Sequence, residues 1–183
     1  VVTYENMTDY VATRWYRAPE VTMLMPGDPK AIDIWGAGCV MGELMEREVI
    51  FEGEDIEHQI DIITRQCGSL SAAELKGVRN SSVRSLLQRA GRRDPTGFHR
   101  RMSDASAEAV DLLEQLLVLR PQERITVGPA LAHPFLEDHH YEPDEPEGPT
   151  IDPREFDFES QTDSMKPIRA ELLREIAIYE ERR

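Results

Sequence analysis

Residues Ala31 to Met45 would be apolar nearly all the way round a helix. Ile32, Ile34, Trp35, Ala37, Cys39, Val40, Met41 and Leu44 spread over its whole circumference, interrupted by Asp33 and Glu43. A helix without a polar face has to be covered on all sides, so it belongs in the middle of a core. It is too short to span a bilayer, and it carries two acids. An acid in such surroundings needs buried hydrogen-bond donors, which Asp33 has to find outside its own helix.

The rest of the chain supplies neighbours for this helix. Ile56, Ile60, Ile63 and Cys67 recur at helical spacing, and Gly68 can cap the helix they mark. Ser71 to Gly97 is irregular and basic, with Arg79, Arg84, Arg89, Arg92 and Arg93; Val83, Leu86 and Leu87 suggest a short helix inside it. Ser106 precedes Ala109, Val110, Leu113, Leu116 and Leu117, a capped amphipathic helix. Thr126 is placed to cap another short helix, which stops before Pro134. From Glu137 to Asp163 the composition turns to Pro, Asp and Glu; Ile168, Leu172, Leu173, Ile176 and Tyr179 then mark a closing amphipathic helix. Val1 to Ala18 has no period and reads as a loop, and Pro26-Gly27-Asp28-Pro29 is a turn. No segment alternates like a strand. The fold class expected is mainly α.

Charge narrows the partners. Lys and Arg total 21 against 35 Asp and Glu, a net charge of −14. Nucleic acid and anionic membranes need a basic surface, so neither is expected as a partner. Partners carrying Lys and Arg are favoured. Cys39 and Cys67 lie in apolar helical stretches and read as free thiols of a reducing compartment. His133, His139 and His140 lack a ligand pattern, so no metal site is expected. Asn6-Met7-Thr8 and Asn80-Ser81-Ser82 match the glycosylation pattern by chance. The chain opens on Val1, so its natural N-terminus is expected upstream.

The segment Thr8-Asp9-Tyr10-Val11-Ala12-Thr13-Arg14-Trp15-Tyr16-Arg17-Ala18-Pro19-Glu20 resembles the activation segment of the mitogen-activated protein kinases, closing on the A-P-E signature. Later landmarks follow in that family's order. Ala31-Ile32-Asp33-Ile34-Trp35 with Gly38-Cys39 resembles the central helix of the kinase C-lobe. Leu119-Arg120-Pro121-Gln122-Glu123-Arg124-Ile125 resembles the motif with the late Arg, and Ala130-Leu131-Ala132-His133-Pro134-Phe135 the last core helix. Glu155-Phe156-Asp157-Phe158-Glu159 and the closing helix resemble the C-terminal extension. The Thr-Asp-Tyr triplet looks most like the plant and protist branch. The resemblance implies the lower part of a protein-kinase C-lobe over 1–136, followed by an acidic extension and closing helix over 137–183.

It also implies roles for residues. Thr8 and Tyr10 would be phosphorylated by an upstream dual-specificity kinase. A phosphate adds about −1.5 to −2 charges and orders a loop when Arg groups receive it. Arg14 and Arg17 would take the phosphate on Tyr10, with the bidentate fit that Lys lacks. Val11, Ala12 and Thr13 would shape the substrate pocket that selects proline after the phosphoacceptor; Thr13 would also bond the catalytic loop. Glu20 and Arg124 would form a buried structural ion pair. Asp33 would anchor the catalytic loop. Glu142, Asp144 and Glu145, with Asp138 nearby, resemble the docking patch that takes basic motifs of substrates, activators and phosphatases, with Tyr141 or Pro143 falling where an acid is expected. The basic region Arg79 to Arg101 departs from the family's insert, and Glu52 stands where the family has Pro.

The kinase parts that hold ATP and Mg²⁺ are a Gly-rich loop, a Lys–Glu pair, an H-R-D loop and D-F-G. None occurs in these 183 residues; Gly36-Ala37-Gly38 lies within the apolar helix. The expectation is a serine/threonine mitogen-activated protein kinase whose ATP site and catalytic base lie upstream of Val1, with this chain alone inactive and exposing an apolar patch. The resemblance further implies cytoplasmic and nuclear localisation. The other reading is a truncated, non-catalytic kinase that acts as a phosphorylation-responsive docking module.

Overall fold

The computed structural model describes residues 14–145, 148, 150–152, 154 and 165–181. The contacts divide the chain into Val1–His140 and Tyr141–Arg183. Among the described residues every regular element is helical.

In the first unit α1 is Pro19–Thr22, α2 Pro29–Glu46, α3 Ile56–Cys67, α4 Ser81–Ala90, α5 Ala107–Leu116 and α6 Val127–Leu131. Each boundary has a local cause. Pro29 opens α2, where the Asp28 carboxylate accepts from the Lys30 N–H at 3.0 Å. Asp55 caps α3 through the His58 N–H at 2.7 Å, and Gly68 ends it at φ 85°. Asn80 caps α4, accepting from Ser82 N–H at 2.9 Å and Val83 N–H at 3.2 Å. That gives the Asn-Ser-Ser triplet a structural task. Ser106 caps α5 through the Ala109 N–H at 3.1 Å. Thr126 occupies the cap position of α6 as expected, but its side chain accepts no bond there.

α2 is the centre of the core. Trp35 is fully buried and stacks on Phe51 with centroids 5.3 Å apart, and Phe98 meets Phe51 edge-on. α5 lies so close to α2 that a Cβ at Gly38 would stand 2.8–2.9 Å from Leu116 and Leu117 side-chain atoms. Ile60 and Ile63 of α3, and Leu113 of α5, complete this centre. α2 ends at Arg47, a left-handed residue at φ 62°.

Among the described residues α2 is not covered on all sides, and its open side carries the exposed apolar side chains expected of this chain alone. Asp33, Ala37, Val40 and Leu44 lie on one stripe and are exposed, Leu44 at 76%. The all-round apolar pattern does not say which side the described residues leave open. Asp33 sits on the open side, while Ile32 and Ile34 beside it in sequence are partly buried.

In the second unit Glu142–Asp144 forms a single 3₁₀ turn and α7 spans Met165–Glu181. Ile168, Leu172, Leu173, Ile176 and Tyr179 all fall on α7 and are all exposed.

Candidate functional site

The most ordered chemistry of the first unit surrounds Arg124. Its Nη1 donates to Glu20 Oε1 at 2.9 Å and its Nη2 to Glu20 Oε2 at 3.0 Å, with both side chains at 0% exposure. Nη1 also donates to the Ala31 carbonyl at 2.5 Å, and Nε to the Val118 carbonyl at 3.1 Å. The guanidinium carbon lies 5.1 Å from the centroid of the Trp35 ring. One planar cation therefore fastens α1, the start of α2 and the turn after α5, with its donors used by acceptors of matching geometry. Glu20 stands in the first turn of α1, where the exposed N–H groups favour a carboxylate.

Just before α1, Arg14–Tyr16 forms a 3₁₀ turn held at three points. Arg14 Nη1 donates to the Glu54 carbonyl at 2.8 Å, and Trp15 Nε1 to the Gly53 carbonyl at 3.1 Å. Gly53 is itself held, its N–H donating to Gln59 Oε1 at 3.1 Å. Tyr16 donates its hydroxyl to Glu43 Oε2 at 2.5 Å. That bond, then burial and the Glu43 charge, push the Tyr16 hydroxyl above its ordinary range. The turn is thus tied to α2 on one side and to the loop entering α3 on the other. Arg17 follows it, half-buried, and its N–H donates to the Arg14 carbonyl at 3.1 Å.

The other expected site residues are dispersed. Thr8, Tyr10, Val11, Ala12 and Thr13 lie outside the described residues. Asp33 lies on the open stripe of α2. Glu142, Asp144 and Glu145 are exposed on and beside the 3₁₀ turn of the second unit. Among the described residues no cluster of His, Cys, Asp and Glu could hold a metal ion. Gly36 and Gly38 lie inside α2, where they cannot cradle a phosphate. These residues therefore do not fit ATP or Mg²⁺.

Besides the ties of the Arg14–Tyr16 turn, three further contacts were not expected from sequence. Arg120 holds Glu74 through Nε to Oε1 and through Nη2 to Oε2 at 3.2 Å, and this lowers the Glu74 carboxyl to about 2. Buried His133 accepts from the Phe135 N–H at its Nδ1, which leaves Nε2 to donate to Asp111 Oδ2 at 3.0 Å. Arg101 ties the end of α2 to the segment beyond it, donating to Glu46, Val49 and Ile50. Local spacing carries no sign of them because each joins residues at least 22 positions apart. Both thiols are free, and burial pushes Cys39 up to about 12. Among the described residues no helix is long and apolar enough to cross a membrane.

Comparison with known proteins agrees with this geometry. A family model described as protein kinase domain matches residues 1–136. The chain is 37% identical over 175 residues to mitogen-activated protein kinase mpkB of Aspergillus fumigatus, covering 96% of this chain and 48% of that protein. It is 41% identical over 169 residues to mitogen-activated protein kinase 4 of Arabidopsis thaliana, covering 92% and 44%. With extracellular signal-regulated kinase 1 of Dictyostelium discoideum it shares 42% over 140 residues, covering 76% and 26%. The chain spans about half the length of the first two relatives. A helical C-lobe, the Glu20–Arg124 pair and these matches converge: the chain belongs to the protein kinase family, on its mitogen-activated protein kinase branch.

Proposed function

We propose that the protein carrying this chain transfers the γ-phosphoryl group of ATP to Ser or Thr hydroxyls that precede proline, and that phosphorylation of Thr8 and Tyr10 turns it on. The observation that carries this reading is the clamped turn Arg14–Tyr16 beside the buried Glu20–Arg124 pair. A loop that switches needs a rigid end to switch against. That turn gives Val11, Ala12 and Thr13 a fixed point from which to form the substrate pocket, and it holds Arg14 and Arg17 close in sequence to Tyr10. A phosphate on Tyr10 would have to compete with the Glu54 carbonyl for one Arg14 N–H. Both bonds have a charged donor, and the phosphate adds an opposite charge and a bidentate fit that the carbonyl lacks. ATP and Mg²⁺ would be held by residues outside this chain, so no catalytic step is assigned to its own side chains. Asp33 would anchor the catalytic loop from the open stripe of α2. Glu142, Asp144 and Glu145 would receive basic docking motifs from activators, substrates and phosphatases, and the protein would work in cytoplasm and nucleus.

The test is a kinase assay on the full-length protein after treatment with its upstream kinase, read with a Ser-Pro peptide and a Ser-Ala control. Thr8→Ala and Tyr10→Phe should each lower kcat/KM by about a hundredfold or more, in line with what is lost when a catalytic constellation is misplaced. Full activity in both variants would refute activation at these residues. Equal rates on the two peptides would refute the proline preference.

A further inference from the structure

Between α3 and α4 lies a cleft of about 1020 Å³ to which the kinase reading gives no task. Its apolar lining comes from Leu70, Leu75 and Leu87. Five cations line it as well, Lys76, Arg84, Arg92, Arg93 and Arg120, against one carboxylate, Asp94. This is a basic hollow in a chain whose net charge is −14.

Not all of these charges are available. Arg120 is occupied by Glu74, and Arg93 by Asp61 at 2.7 Å. Arg84 is different: its Nε and Nη2 donate to the Val78 carbonyl, a neutral acceptor, so its charge stays uncancelled. Arg92 is 91% exposed and reaches Asp94 only at 3.9 Å. Lys76 is exposed and has no ion-pair partner among the described residues. The C-terminal ends of α3 and α4, at Gly68 and Gly91, also line the cleft with carbonyl ends. Each such end is worth roughly half a negative charge, so with Asp94 they offset about two of the three charges of Lys76, Arg84 and Arg92 and leave the hollow about one positive charge.

We propose that this cleft docks an acidic peptide segment with an apolar residue between its acids. The volume is at the upper end of ligand pockets, about 300–1,000 Å³, which suits a few residues of peptide. Leu70, Leu75 and Leu87 would take the apolar side chain, and Lys76, Arg84 and Arg92 the flanking carboxylates. In a chain of net charge −14, charge complementarity favours this hollow for such a partner. It is a partner of opposite charge to any that Glu142, Asp144 and Glu145 would receive.

The experiment is fluorescence anisotropy of a labelled Asp-Glu-Leu-Leu-Glu-Asp peptide with the full-length protein, at low and physiological salt. Saturable binding is expected, weakening as salt rises. Lys76→Glu and Arg92→Glu should each weaken it about fivefold or more. Arg89→Glu is the control, an exposed position on α4 that does not line the cleft, and it should change affinity less than about twofold. A peptide with Ser in place of both Leu should bind about tenfold more weakly. All three protein variants change exposed side chains, and circular dichroism confirms their fold. The proposal is overturned by no saturable binding, by an equal loss in Arg89→Glu, by undiminished binding of the Ser peptide, or by binding to phosphatidylserine vesicles without binding to the peptide.

Discussion

Removing Arg124 alone should cost more than removing both partners of the Glu20–Arg124 pair. In Arg124→Met the Glu20 carboxylate stays at 0% exposure without a counter-charge. The Ala31 and Val118 carbonyls lose their donors in the same step. An uncompensated buried charge costs about 3–5 kcal/mol, and two lost hydrogen bonds add about 1 kcal/mol each. Loss of the contact with the Trp35 ring adds about 0.5–2 kcal/mol. The expected loss of about 5–9 kcal/mol is a large share of a typical total of about 5–15 kcal/mol. Glu20→Gln removes the charge but keeps an acceptor for Arg124, and should cost about 3 kcal/mol. The double variant no longer buries an unpaired charge, so it should be more stable than Arg124→Met alone by at least about 2 kcal/mol. Urea unfolding of the full-length protein, followed through Trp35 fluorescence, gives all four corners of the cycle. If each single change costs under about 1 kcal/mol and the coupling is near zero, the pair is solvated and the reasoning fails.

Gly38→Ala should destabilise by about 1–3 kcal/mol, because its Cβ would meet α5 at 2.8–2.9 Å; an unchanged melting temperature would show that the two helices part freely. Asn80→Ala should cost about 1 kcal/mol and speed amide exchange in the first turn of α4, where the Ser82 and Val83 N–H groups lose their acceptor. Glu74 has its folded-state carboxyl lowered to about 2 by the Arg120 hydrogen bond, so its contribution is present above about pH 4.5 and is lost as pH falls toward 2. The pair is about 30% exposed, so screening limits the effect to about 1 kcal/mol, visible as a smaller acid-induced loss of stability in Glu74→Gln than in the parent protein.

What the residues reveal by themselves is mostly local. The caps at Ser106 and Gly68 and the apolar spacing of α3 and α5 need only neighbours a few positions away, and they are legible. The cap at Asn80 is written in the same local terms but is masked by the triplet's other meaning. Glu20 and Arg124 lie 104 positions apart, and no periodicity connects them; only resemblance to a family did. The side of α2 that stays open is not legible either: helical geometry turns successive residues by about 100°, so the apolar neighbours of Asp33 in sequence do not share its stripe. Tyr16–Glu43 and Arg120–Glu74 were illegible for the same reason as the long-range pair: an acid and its partner carry no mark of each other.

The reach of Arg124 also bears on the order of events in folding. Its bonds join it to residues 93 and 104 positions upstream, more than half of the chain. Closing a loop of that length costs about 4 kcal/mol of chain entropy before any bond forms in return. The packing of Gly38 on Leu116 and Leu117 closes most of that loop as well, so the pair and the helix contact share one entropic cost. If the pair forms after that packing, Arg124→Met should speed unfolding and leave the folding rate almost unchanged; an equal loss on the folding rate would put the pair inside the folding barrier. The Glu20–Arg124 pair would in that case act as a latch on unfolding.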